Sequence, residues 1–308
     1  VFDVIGIGAN SVDYVYRVPV APDFRGPHSK LRLSGHTVSC GGQVATALAT
    51  CVAFGLRAAY AGAVGTDGNG RRVGAAMAAR GIDLSLMVRR EGGNQFAAIL
   101  IDDSSGERVV LWDRPDSLLL HDADIPVNAL RAARAVLVDD VDPRAGLEAA
   151  RIARAARVPV VTDLDHLTPF TEALVRTASH PILSEHLPHA LTGEADLERA
   201  LRAMRTWNPG LLTVTVGARG AVALDGERFV EVPGFALDAV DTTGSGDVFR
   251  GAFITGLLEG LPTDRLLRFA NAAGAASCTR RGALDSVPTR EQVDALLDQV
   301  AADARRRD

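Results

Sequence analysis

Short apolar runs closed by glycine or aspartate alternate with amphipathic stretches along most of this chain. Val4-Ile5-Gly6-Ile7-Gly8 reads as a buried strand ending in glycines, and Val12–Pro19 alternates as a second strand. A polar loop at Pro22–Lys30 leads to a small strand at Leu31–Ser34. Gly41-Gly42 opens an alanine-rich helix that runs through about Phe54 and is closed by Gly55. Tyr60–Val64 is a strand, residues 65–70 a glycine-rich turn, and Arg71–Arg80 a helix. Ala97–Ile101 and Arg108–Trp112 form a hairpin-like pair. From Leu130 the rhythm becomes strand, helix, strand: Ala135–Val138, helix Pro143–Ala156, Pro159–Asp163, helix Pro169–Ala178, then Ile182–Leu183. Leu211–Val216 and Ala221–Leu224 pair, Phe229–Pro233 alternates, and two C-terminal helices close the chain. That rhythm predicts an α/β protein with a parallel sheet covered on both faces. The early strands, about 12–38 and 96–112, break the rhythm and predict a small separate sheet. No internal repeat or long linker divides the 308 residues.

The chemistry concentrates between the last strand and the next helix, at Val240-Asp241-Thr242-Thr243-Gly244-Ser245-Gly246-Asp247-Val248-Phe249. Phe249, Ala252, Phe253, Gly256 and Leu257 recur at helical spacing, so the glycines sit in a turn that opens onto a helix N-terminus. Unpaired N–H groups and the helix dipole make such an end a site for an anion. Asp247 has two readings there: a helix cap, or a base that takes the proton of a hydroxyl attacking a phosphoryl group.

Composition narrows the possibilities. A 47% apolar and 23% charged chain is ordinary for a globular protein, and a net charge of −5 leaves no footprint for nucleic acid or an anionic membrane. Cys40, Cys51 and Cys278 are odd in number and widely spaced, which argues against a disulfide framework. No signal sequence opens the chain and no run is long enough to span a bilayer, so a cytoplasmic location is expected. Lys30 is the only lysine and has no Gly-Lys-Ser/Thr context, which excludes a P-loop NTPase. Val4–Gly8 is no dinucleotide fingerprint either, because Ser11 replaces the third glycine and a strand follows where a helix is needed.

The run from Asp241 to Ala252 resembles the C-terminal signature of the ribokinase family of carbohydrate kinases. Gly6–Asp13, the Gly41-Gly42 helix entry and Thr215–Gly220 resemble other segments of that family, in its order. The resemblance implies a single ribokinase-like domain over 1–308: a three-layer sandwich around a mostly parallel sheet, with a β lid over the sugar site. It implies an ATP-dependent sugar kinase in which Asp247 is the base and Gly244, Ser245 and Gly246 form the anion hole. Asn10, Asp13, Gly41, Gly42, Gln43 and Thr46 would meet the sugar, with Thr46 standing where the family usually has asparagine. Thr215, Gly217, Gly220 and Asn271 would line the ATP site. Similar kinases carry Asn-x-x-Glu where this chain has Ser184-Glu185-His186-Leu187, so Mg2+ placement through water falls to Glu185, or to Asp163 and Asp165. In potassium-activated relatives the K+ positions match Asp241, Thr243, Ser277, Arg280 (through its carbonyl), Gly282 and Ser286. The expected acceptor is a free sugar, because Glu91–Gln95 lacks the basic residue that clamps a sugar phosphate; Lys30, Arg17 and Arg114 are the other available clamps. A homodimer through the lid is the expected assembly. A nucleoside kinase on the same scaffold and a non-catalytic ligand-binding or regulatory member stay open.

Overall fold

Strand Val4–Ile7 lies between Ala58–Tyr60 and Ala135–Asp139, and Val160–Asp163 completes a parallel four-stranded sheet. The computed structural model that shows this describes residues 1–105 and 107–305. A second sheet, in the order Ile182–Ser184, Leu212–Thr215, Gly220–Asp225, Arg228–Pro233, begins parallel and ends as two antiparallel pairs. Parallel bridges Val161–His180 and Leu164–Leu183 join the two sheets edge to edge.

Alternate residues of the central strands enter different cores, as a sheet buried on both faces requires. Ala135 and Leu137 pack with Val44, Leu48, Phe249, Phe253 and Phe269 from the helices Gln43–Ala53, Ser245–Leu258 and Thr263–Ser277. Val136 and Val138 pack on the opposite face with Leu147, Leu174 and Met204 from the helices Pro143–Ala155, Thr171–Thr177 and Leu197–Arg205. The result is the three-layer α/β sandwich that the alternation predicts.

The small separate sheet has the order Gly35–Gly41, Ser11–Val18, Phe96–Asp102, Arg108–Asp113. Its central pair is parallel and both outer pairs are antiparallel. The strand expected at Leu31–Ser34 is not formed; the chain pairs instead at Gly35–Gly41, where register with Ser11–Val18 runs from Arg17–Gly35 to Ser11–Gly41. The run expected at Tyr60–Val64 divides into Ala58–Tyr60 and Ala63–Gly65, the latter pairing with Val88–Arg90. A third helix, Arg290–Arg305, follows the two expected after the glycine turn.

Candidate active site

Asp247 stands on the first turn of the Ser245–Leu258 helix. Gly244 caps that helix in the left-handed region (φ 78°), and a Cβ there would lie 2.8 Å from the Cβ of Ala283, so the turn demands glycine. Ser245 N–H donates to the carbonyl of Thr242 (3.3 Å) and Val248 N–H to that of Gly244 (2.9 Å). The N–H groups of Gly246 and Asp247, between them, have no helical carbonyl to meet. Of the expected anion-hole residues Gly244, Ser245 and Gly246, Ser245 thus has its N–H turned onto the Thr242 carbonyl, while that of Gly246 stays open.

This helix end opens on a cavity of about 670 Å³ whose lining includes Gln43, Asp163, Asp165, Thr215, Gly217, Gly220, Asp247, Arg250 and Asn271. A second cavity, of about 640 Å³, lies between the lid residues Val15, Thr37 and Ile101 and the segments Ala239–Thr242 and Arg281–Asp285. Arg108, Ala239 and Thr242 line both.

Asp13 is buried in the lid strand Ser11–Val18, where Ser11 Oγ donates to it at 2.8 Å. Burial raises its pKa, Ser11 opposes the shift and the charge of Asp241 adds to it. Gly41 adjoins it closely, since a Cβ at 41 would lie 3.0 Å from Asp13 Oδ2. Gly42 has φ 100°, and a Cβ there would fall 2.5 Å from Asn10 Cα, so only glycine lets the Gln43–Ala53 helix start at this point. The pKa of Asp247 is raised well above its ordinary value by enclosure, then by the charge of Asp163; Arg250 opposes, and Asp13 and Asp165 add to the rise. Thr46 is fully buried, with an Oγ1 that has no hydrogen-bond partner among the described residues, and its Cγ2 is 3.5 Å from where a Gly244 Cβ would be. Lid base, double-glycine helix and anion turn therefore meet at one place.

Asn10 has a different environment from a residue that faces a ligand. Its amide nitrogen donates to Tyr60 Oη and to the Ala63 carbonyl, both at 2.7 Å, and its Oδ1 accepts from Asn94 at 2.9 Å. Those bonds fix the entry to the strand that carries Asp13. Asn271, in the lining of the first cavity, is likewise engaged, donating to the carbonyls of Val232 (2.9 Å) and Pro233 (3.2 Å). Gly217 (φ 59°) and Gly220 (φ 102°) shape the turn beside it.

Glu185 is exposed and ion-paired with Arg219, while Ser184 Oγ donates to Asp165 and Leu187 is buried. Asp163 forms a buried ion pair with Arg250 (Asp163 Oδ1 to Nε, 2.9 Å), and burial pushes its pKa up to about 6 against the opposing charge of Arg250. Asp241 accepts from Thr243 N–H and Gly282 N–H, both at 2.9 Å. Although burial opposes it, these bonds hold the carboxyl of Asp241 below its ordinary pKa. Val240 and Asp241 also donate to the carbonyl of Cys278, so the anion turn and the 277–286 segment are tied together. Ser277 and Ser286 are buried and bond the carbonyls of Gly274 and Ala283.

Of the residues named as sugar-phosphate clamps, Arg114 is buried against Asp142 rather than paired with its neighbour Asp113, and also reaches Gln95 and the Leu118 carbonyl. Arg17 pairs with Asp103, and Lys30 is exposed. The sequence pattern gives no prominence to Arg250 or Asp140. The available signal for Arg250 is its place four residues after Gly246, on the same helix face. For Asp140 it is a carboxylate at the C-terminal end of a buried strand; its Oδ2 accepts from the N–H groups of Asp165 and His166.

A family profile described as pfkB family carbohydrate kinase matches residues 10–290. The ribokinase of Haemophilus influenzae is 29% identical over 303 residues, covering 95% of this chain and 97% of its own. The ATP-dependent ribose-1-phosphate kinase of Halopiger xanaduensis is 28% identical over 299 residues, covering 96% and 98%. Among solved structures, Arabidopsis thaliana ribokinase complexed with ribose and ATP superposes with a TM-score of 0.82 over 96% of this chain and 98% of that one, at 23% identity.

Proposed function

The chain belongs to the pfkB family of carbohydrate kinases, and on that premise we propose that it transfers the γ-phosphoryl group of ATP to a hydroxyl of a free, neutral sugar. The observation that carries the reading is a helix N-terminus bearing the carboxylate of Asp247, which opens on one cavity and adjoins the second through Thr242. ATP occupies the cavity bounded by Thr215, Gly217, Gly220 and Asn271. The sugar lies under the lid, with Asp13 accepting from its hydroxyls and Gln43 and Thr46 beside it. Asp247 takes the acceptor proton as the acceptor oxygen bonds to the γ-phosphorus. The bond from that phosphorus to the β–γ bridging oxygen breaks, and ADP leaves. The Gly246 and Asp247 amides face the charge that develops on the phosphoryl oxygens.

Magnesium fits the donors present. Asp165 and Glu185 offer hard oxygens at the nucleotide cavity, and Mg2+ commonly binds through substrate phosphates, waters and one or two carboxylates. When bound, the ion would neutralise phosphate charge. Potassium is proposed beside Asp241, Thr243, Ser277, Arg280, Gly282 and Ser286.

A neutral acceptor is favoured because Arg114 and Arg17 are already paired with carboxylates. The edge strand Arg108–Asp113 is exposed throughout and carries Val109, Val110, Leu111 and Trp112, which supports a homodimer joined through the lid. Among the described residues no helix is long and apolar enough to cross a membrane. ATP consumption measured over free sugars, sugar phosphates and nucleosides tests the reading. The expected preference is for a free sugar; a clear preference for a phosphorylated sugar or a nucleoside would overturn the acceptor assignment.

A further inference from the structure

Arg250 is a buried cation beside the anion turn. It is 3% exposed, on the helix that begins at Ser245, four residues beyond Gly246. Helical side chains lean toward the N-terminus, so this one runs back along the Gly246 face toward the helix end. The fit is close: a Cβ at 246 would lie 2.6 Å from Arg250 Nη1. Glycine at 246 thus leaves the path for the guanidinium open as well as shaping the turn.

Its engagement with protein is slight. Asp163 is its one ion-pair partner among the described residues, with Oδ1 2.9 Å from Nε but no hydrogen bond formed there, and no hydrogen bond among them engages its terminal nitrogens either. Arg114, the comparison within this chain, is buried to a similar degree but spends its nitrogens on Asp142, Gln95 and the Leu118 carbonyl. Arg250 instead lines the nucleotide cavity together with Gly246 and Asp247. The other basic side chains in that lining, Arg108 and His186, are exposed. Lys30, the only lysine, is exposed in a loop outside that lining, and the chain has no phosphate-binding lysine motif. A guanidinium with free donors, held at the positive end of a helix, suits a phosphoryl group whose charge spreads over its peripheral oxygens.

We propose that Arg250 is a catalytic residue that donates through its terminal nitrogens to the γ-phosphoryl group during transfer, with Asp163 holding it in place; this rests on the kinase reading above. Asp163 holds the guanidinium by charge on its Nε side and leaves the terminal nitrogens for the nucleotide. The arginine supplies fixed charge from within the chain, where the helix amides supply only partial charges.

Removing Arg250 alone strands the buried charge of Asp163 and endangers folding. The test therefore compares Asp163→Asn with Asp163→Asn/Arg250→Gln, reading kcat on the best acceptor and the affinities for ATP and ADP by calorimetry. The proposal expects the double variant to lose a further ~10²- to 10³-fold in kcat and about tenfold in ATP affinity, with ADP affinity kept. Equal kcat and an unchanged ATP-to-ADP ratio in the two variants would overturn it and leave Arg250 as a counter-ion of Asp163. Wild-type protein that binds ATP but phosphorylates no acceptor would overturn the kinase reading and the proposal with it.

Discussion

To act as the base proposed for it Asp247 must be ionised, yet its surroundings favour the protonated form. Enclosure and the charge of Asp163 both raise its pKa. The acid limb of kcat/KM should therefore lie above the ordinary carboxylate range near pH ~4. Replacing Asp163 by asparagine removes a negative neighbour while leaving Arg250, so the limb should move to lower pH. A limb unmoved by Asp163→Asn would mean that another group governs it. Asp163 adds a stability effect of definite sign. Its folded-state pKa of about 6 exceeds the 3.8 of an ordinary aspartate, so the folded state binds more protons between those values. Its contribution favours folding below about pH 4 and is lost as pH rises toward about 6, a slope absent from Asp163→Asn. Asp247 and its glycines are legible in the sequence because residue type and a helical period suffice to place them. The Asp163–Arg250 pair is not, because strand end and helix meet only once the sheet has formed.

Among the elements, the lid shows how far pattern reading reaches. Ser11–Val18, Phe96–Asp102 and Arg108–Asp113 carry the β-branched and aromatic residues that announce strands. Gly35–Gly41 contains glycine, histidine, threonine and serine, and its burial rises toward one end instead of alternating. Its pairing comes from the neighbouring strand, so the apolar Leu31 and Leu33 misplace it by a few residues. The opposite edge has the reverse problem: apolar side chains with nothing on them. Trp112 is 66% exposed and Leu111 57%, on opposite faces of the strand. If two lids associate there, Leu111→Glu/Trp112→Glu should turn a dimer into a monomer in sedimentation equilibrium without unfolding the central sheet. A wild-type monomer at the same concentration, or a double variant that stays dimeric, would rule this edge out as the interface.

At the scale of the whole molecule, the parallel half-sheet, the mixed half-sheet and the lid converge on the Asp241–Asp247 turn. The α/β class and the parallel half were legible from alternating strands and helices. The antiparallel close of the second sheet was visible only in part, at Leu211–Leu224. A K+ ion beside Asp241 would stiffen the bonds that tie this turn to Cys278 and Gly282. Turnover should then be about 5-fold or more higher in potassium than in tetramethylammonium at equal ionic strength, and equal rates would remove the ion from the account. The most direct test of the central claim is single-turnover phosphoryl transfer from ATP to the best acceptor in wild type and Asp247→Ala, with ADP affinity measured alongside. The account predicts a rate lower by ~10²- to 10⁴-fold with ADP binding kept; near-wild-type transfer by Asp247→Ala would contradict it and leave this carboxylate as a first-turn residue with no part in transfer.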